Sequence, residues 1–115
     1  MEKFIYLFRS GTAGDSAISP ETMQAHMQKW NEWMQQLAQS GTMLAGEPLE
    51  ITGKQVNGSK RSVTDGPFIE AKEMVGGYLV VSANDIDHAV EISKGCPIFD
   101  MNGRVEIRPI RKMDM

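Results

Sequence analysis

The densest run of reactive side chains in the chain is Thr64-Asp65-Gly66-Pro67-Phe68-Ile69-Glu70-Ala71-Lys72-Glu73. Gly66 tolerates backbone angles that other residues avoid, and Pro67 has a fixed φ and no N–H to donate. The centre of this stretch therefore reads as a loop, and loops held by a scaffold are where binding and catalytic groups are often mounted. Asp65, backed by Phe68, has the makings of a general acid or base if its surroundings raise its pKa. Equally, it can accept backbone N–H bonds and lock the turn, as Asp before Gly often does. Lys72 has the charge to hold an anionic substrate, and Glu73 can move protons. The same residues with Glu70 can also form a solvated ion-pair network, each exposed pair contributing under about 1 kcal/mol.

Five further positions bear on a site. Tyr78 offers a hydroxyl to a cleft or packs with it at a rim. Arg108 alternates with Val105 and Ile107 and so points to the opposite side of a strand, where it can grip a carboxylate in bidentate fashion or pair with Glu106 across an interface. His26 lies beside Trp30 and Trp33 on a helix edge, a position that is usually plain surface. Gly76-Gly77 allows a close backbone approach, by a ligand or by a neighbouring strand. His26 and His88 lack metal-ligand spacing, and no metal is expected. Cys96 precedes Pro97 without a basic neighbour and reads as structural. No GxGxxG follows a strand, no GxxxxGK[ST] occurs and no Ser-centred elbow is present, so no cofactor is expected.

The elements that must position these residues are legible in outline. Phe4 to Arg9 is a short β-forming run. Ser19, Pro20 and Glu21 open a helix over about Pro20 to Ser40, as N-cap, first helical residue and first-turn acid. Met23, Met27, Trp30, Met34 and Leu37 form its apolar face, and Gly41 closes it. Gly46-Glu47-Pro48 reads as a turn. Asn57-Gly58 signals a hairpin between a strand near Leu49 to Val56 and one near Arg61 to Thr64. Gly77 to Ala83 is a buried strand. Asn84 or Asp85 caps a second helix carrying Ile86, Ala89, Val90 and Ile92, which Gly95-Cys96-Pro97 stops. Gly103 to Ile110 is the last strand, with period-two alternation.

The order βα-(β)β-βα-β predicts an α+β fold, a ferredoxin-like split βαβ sandwich in a single domain over residues 1–115. Both helices cover one face of the sheet. Yet Ile5 and Leu7 are apolar on the side opposite Phe4, Tyr6 and Phe8, and Gly77 to Ala83 is apolar on both sides. The uncovered face would expose roughly several hundred Å2 of apolar surface, more than monomers usually do. A homodimer through the open sheet face is expected, with a small-molecule pocket against it.

With 115 residues, 41% hydrophobic and 23% charged, the chain has room for one core. A formal net charge of −3 argues against a nucleic-acid partner, although Arg104, Arg108, Arg111 and Lys112 cluster locally. A single cysteine excludes an intrachain disulfide and fits a reducing compartment. The first apolar run is too short for a signal peptide, and nothing approaches the roughly 20 apolar residues of a membrane span. The expected location is cytoplasmic.

The run Thr64-Asp65-Gly66-Pro67-Phe68, with Glu70, Lys72, Glu73, Gly76, Gly77 and Tyr78, resembles the DGPF signature of the YCII-related family. Trp33, Leu37, Gly41, Ala45-Gly46-Glu47 and Leu49 look like its helix-to-turn segment, and Glu106-Ile107-Arg108-Pro109 like its closing Glu-x-Arg-Pro strand. The resemblance implies a dimeric α+β barrel with a site in the cleft of each subunit. For the wider family it implies a His–Asp dyad, by analogy with muconolactone isomerase-like barrels. It also implies a link to extracytoplasmic-function sigma factors. The chain departs from the dyad pattern. The helix histidine would fall near Trp30, whereas His26 lies one turn earlier and His88 sits in the second helix. The resulting reading is a small-molecule-binding protein, in its sharpest form an isomerase- or lyase-like enzyme with Asp65 as acid or base. The alternative is a non-enzymatic regulatory or assembly module tied to sigma-factor signalling.

Overall fold

A computed structural model describes residues 1–9, 19–50, 52–65 and 75–113. Its elements are β1 (Glu2–Arg9), α1 (Pro20–Gln39), β2 (Met43–Pro48), β3 (Lys54–Asn57), β4 (Ser62–Asp65), β5 (Val75–Ala83), α2 (Ile86–Ser93), a short 3-10 turn (Pro97–Met101) and β6 (Arg104–Pro109). Four strands form one antiparallel sheet in the order β2-β5-β1-β6. With α1 and α2 this is the split βαβ arrangement expected of an α+β ferredoxin-like fold.

The start of each helix follows from its sequence. The Ser19 hydroxyl accepts from the Thr22 N–H at 3.1 Å, and Pro20 occupies a position where its missing N–H costs nothing. Asp85 caps α2 by accepting from the His88 N–H at 2.8 Å. The Asn84 N–H donates to His88 Nδ1, so His88 serves the same helix start. Gly41 follows α1 at φ +75, a left-handed angle that a side chain would strain.

Alternation sorts the sheet into two faces. Phe4, Tyr6, Phe8, Leu79, Val81 and Ala83 are buried beneath the helices, with Val105 and Ile107 packed alongside. Tyr6 reaches furthest: its hydroxyl donates to the Ala89 carbonyl oxygen of α2, and the small Ala89 side chain leaves room for the ring. Phe8, Trp30 and Trp33 meet edge to face, with centroids 5.1 to 6.4 Å apart. Gly95 lets the end of α2 approach Trp33, since a Cβ there would lie 3.0 Å from its Nε1.

Three expectations are corrected. Gly46-Glu47-Pro48 is not a turn but the end of edge strand β2. Gly46 lies there because the strand crosses tight against β5: a Cβ would meet Leu79 Cγ and the Tyr78 carbonyl oxygen at 2.9 Å each. Pro48 is tolerated because an edge strand can spare the donor. Gly46→Ala is expected to lower stability by about 1–3 kcal/mol. A urea midpoint matching the wild type would refute that close approach.

Second, the hairpin predicted around Asn57-Gly58 exists, with Gly58 at φ +71 and Arg61 at φ +53, but it forms a separate two-stranded sheet. Its expected place in the main sheet is taken by β2. Third, the apolar stripe of α1 is only half used. Trp33 and Leu37 are buried and Trp30 and Met34 pack on the core, while Met23 and Met27, in the N-terminal half of the helix, are exposed. Similarly, Ile86 on α2 is exposed although Ala89 and Ile92 face the core.

Candidate functional site on the open sheet face

The side of the sheet opposite the helices is bare among the described residues. The molecule is only 19 Å across its thinnest dimension, enough for one sheet and one helix layer. Registers place the open-face residues in rows. Glu47, Tyr78, Leu7 and Glu106 stand side by side from β2 to β6; the next row is Ala45, Val80, Ile5 and Arg108. The centre, Ile5, Leu7, Tyr78 and Val80, is apolar and partly exposed, and the flanks are charged.

At one flank, Arg9 pairs with Glu106 at 3.1 Å, diagonally across β1 and β6. Glu106 is thus held by Arg9 of β1 within its own chain. Arg108 is exposed and makes no ion pair among the described residues. Beyond it, Lys3 and Ile110 border a surface cavity of about 590 Å3 whose lining also holds Glu2, Arg111 and Lys112. A bare guanidinium beside an apolar strip and further cations is a surface suited to an anion with an apolar body.

The other candidates lie apart. Asp65 ends β4, with its side chain 90% exposed and its carboxylate 2.8 Å from Lys54 Nζ. Among the described residues its carboxylate bonds Lys54 and neither Tyr78 nor Arg108. His26 is on α1, across the sheet from both, and its Nε2 accepts from Trp30 Nε1 at 2.9 Å. That nitrogen is engaged within the helix, and the ring steadies the Trp30–Phe8 stack. Gly77 admits β2: a Cβ there would lie 3.2 Å from the Glu47 carbonyl oxygen. Lys72, Glu73 and Glu70, with Gly66, Pro67 and Phe68, lie outside the described residues. No group of three or more His, Cys, Asp or Glu that could hold a metal ion exists among the described residues.

Arg9 was absent from the sequence candidates. Its signal was available: once Phe8 is assigned to the core, Arg9 falls on the face of Leu7 and Ile5, in diagonal reach of Glu106.

The YCII-related domain matches residues 6–114. The chain belongs to the YCII-related family. No curated protein matches it. Among solved structures, it is similar to the 5-chloro-2-hydroxyhydroquinone dehydrochlorinase of Burkholderia phenoliruptrix in complex with 2,5-dihydroxybenzoquinone. The TM-score is 0.50 and the identity 14%, over 95% of this chain and 93% of that one. At that identity the likeness speaks for the fold. As a YCII-related domain the chain presents its two helices on one face and a mixed apolar and cationic surface on the other. No helix among the described residues is long and apolar enough to cross a membrane.

Proposed function

We propose that this YCII-related protein binds a small anionic molecule with an apolar body on the open sheet face, where two copies pack face to face. Arg108 holds the anionic group, Ile5 and Val80 support the apolar part, and the Tyr78 hydroxyl contacts the remainder. In the sharpest form of this reading the bound molecule undergoes an isomerase- or lyase-like proton transfer with Asp65 as acid or base. The observation that carries the proposal is the exposed Arg108, without an ion pair among the described residues, in the same row as Val80 and Ile5.

A thermal-shift comparison of arylcarboxylates with their uncharged carboxamides tests it. A native-state binder at a hundred times its Kd stabilises by about 2.7 kcal/mol, which for a domain of this size raises Tm by several degrees. Benzoate-type anions are expected to raise Tm, the carboxamides to do so far less, and Arg108→Leu to remove the difference. Equal shifts for acid and amide, or a benzoate shift unchanged in Arg108→Leu, would overturn the role given to Arg108.

A further inference from the structure

One row beyond Arg108, the open face ends at a cationic cavity. It lies where β1 begins and β6 ends, and Lys3, Arg111 and Lys112 line it with Glu2, Pro109 and Ile110. Lys3, Arg111 and Lys112 form no ion pair among the described residues. The carboxylate in the lining, Glu2, alternates with Lys3 and so stands on the helix side of the strand, with Phe4. Like charges gathered around a cavity repel one another, and their field concentrates counter-ions there.

Strand register fixes how this cavity stands to Arg108. Ile5 lies opposite Arg108, and the Ile110 N–H donates to the Lys3 carbonyl oxygen at 2.9 Å, so the ladder continues by one more pair. Alternation puts Lys3 on the side of Ile5 and Leu7, and Ile110 on the side of Arg108. Lys3 and Arg108 are therefore diagonal neighbours on the open face. Their Cβ atoms are roughly 7–8 Å apart, a gap that long side chains can span. Ile5 and Ile110 occupy the other diagonal, so an apolar strip runs between the two cations.

The geometry points to a ligand with two anionic groups, one at each end of an apolar body. Arg108 holds the first group, and Lys3 holds the second at the mouth of the cavity, with Lys112 of the same lining in support. This rests on the role of Arg108 proposed above and narrows the ligand from an apolar-bodied anion to a dianion, in class a flat dicarboxylate. The span of a para-disubstituted benzene ring is of the order of the diagonal between the two cations. Two carboxylates on adjacent ring carbons would both fall to one of them. The second carboxylate supplies the negative charge that Lys3, Arg111 and Lys112 lack among the described residues.

Isothermal titration at fixed ionic strength compares terephthalate with its monoamide, which keeps the shape with one charge fewer. The proteins are the wild type, Arg108→Leu and the double variant Lys3→Met/Lys112→Met. The wild type is expected to bind the dianion about tenfold more tightly than the monoanion, the scale of one well-placed charge-assisted pair. The double variant is expected to bind the two alike, to within about twofold, with an affinity for the monoanion close to that of the wild type. Arg108→Leu is expected to weaken both ligands. All three positions are exposed, and circular dichroism and Tm check that the fold is intact. If Arg108→Leu weakens the monoanion but the wild type binds both ligands equally, or its preference survives in the double variant, the second anionic subsite is overturned and the role of Arg108 stands. Binding of both ligands unchanged in Arg108→Leu, or no binding of either by the wild type, overturns both.

Discussion

Under the proposed face-to-face pairing, Leu7→Glu is expected to leave the protein folded but monomeric at concentrations where the wild type is a dimer. Leu7 stands in the middle row of the open face, between Tyr78 and Glu106, with Glu47 one strand further on. In a face-to-face dimer this position becomes the dry centre of the interface. A carboxylate there would be buried at an apolar centre next to Glu106, whose own partner is Arg9, and a buried charge left without a partner costs several kcal/mol. The two-fold axis applies that cost twice. The dissociation constant should rise by on the order of a thousandfold or more, since about 1.4 kcal/mol is worth a factor of ten. Leu7 is only partly buried in the single chain and faces away from Phe4, Tyr6 and Phe8. The monomer should therefore keep its circular dichroism spectrum and most of its Tm. Leu7→Met, which keeps the volume apolar, should dimerise normally. Sedimentation of the three proteins decides the matter: a Leu7→Glu protein that still pairs would show that this face is not the interface.

A second large effect is expected in alkali, and it arises on the other side of the sheet. Burial pushes the Tyr6 phenol up from 10.0 to about 12, with the nearby Cys96 adding to the rise. Burial likewise pushes the Cys96 thiol up from 9.0 to about 12; a backbone hydrogen bond at Ile98 lowers it and Asp100 raises it. In the unfolded chain the thiol loses its proton near pH 9 and the phenol near pH 10. In the folded chain both keep their protons to about pH 12. Above pH 9 the folded state therefore binds more protons than the unfolded one, and stability falls as pH rises. The contribution is fully present below pH 9 and is lost progressively towards pH 12.

Each titrating group gives a slope of up to about 1.4 kcal/mol per pH unit. Two groups across this window amount to a loss on the order of several kcal/mol, comparable with the whole stability of a small domain. Tm followed from about pH 7 to about pH 11 should decline from about pH 9. Cys96→Ala should delay the onset to about pH 10, leaving only the phenol. Tyr6→Phe should keep the earlier onset with a shallower slope, from a lower starting stability because the Ala89 carbonyl loses its donor. A Tm that stays level to about pH 11, or a decline identical in all three proteins, would remove this pair from the explanation.

The two predictions divide the sheet into its two functions. Odd-numbered β1 residues, Ile5 and Leu7, with Tyr78 and Val80, form a partly exposed apolar surface. Even-numbered residues, Phe4, Tyr6 and Phe8, with Leu79 and Val81, form the core. That division was legible from alternation alone, because in a strand the side-chain period is two whatever the neighbours do. The direction of Arg108 followed by the same logic from Val105 and Ile107. Local chemistry also made α1 and its cap readable, since Ser19, Pro20 and Glu21 act within one turn.

Other features depended on what lies across space. The helical period of Met23, Met27, Trp30, Met34 and Leu37 describes a stripe, but only contact with the sheet decides how much of it is buried, and Met23 and Met27 stay exposed. Gly46-Glu47-Pro48 carries turn residues. Its strand conformation comes from β5, whose Leu79 and Tyr78 crowd the glycine. A turn signal names residues that suit a turn; it does not exclude an edge strand that needs a missing Cβ and can spare an N–H.

The candidate site divides in the same way. By itself the sequence determined the α+β pattern, the two-faced sheet, the face of Arg108 and the YCII-related likeness, because propensity, capping and alternation act between near neighbours. Only the tertiary structure decided which reactive side chains share a surface. It put Tyr78 and Arg108 on the open face, His26 across the sheet against Trp30, and Asp65 on a hairpin of its own. Strand order and register set those distances, and they follow from long-range pairing that no local run of residues encodes.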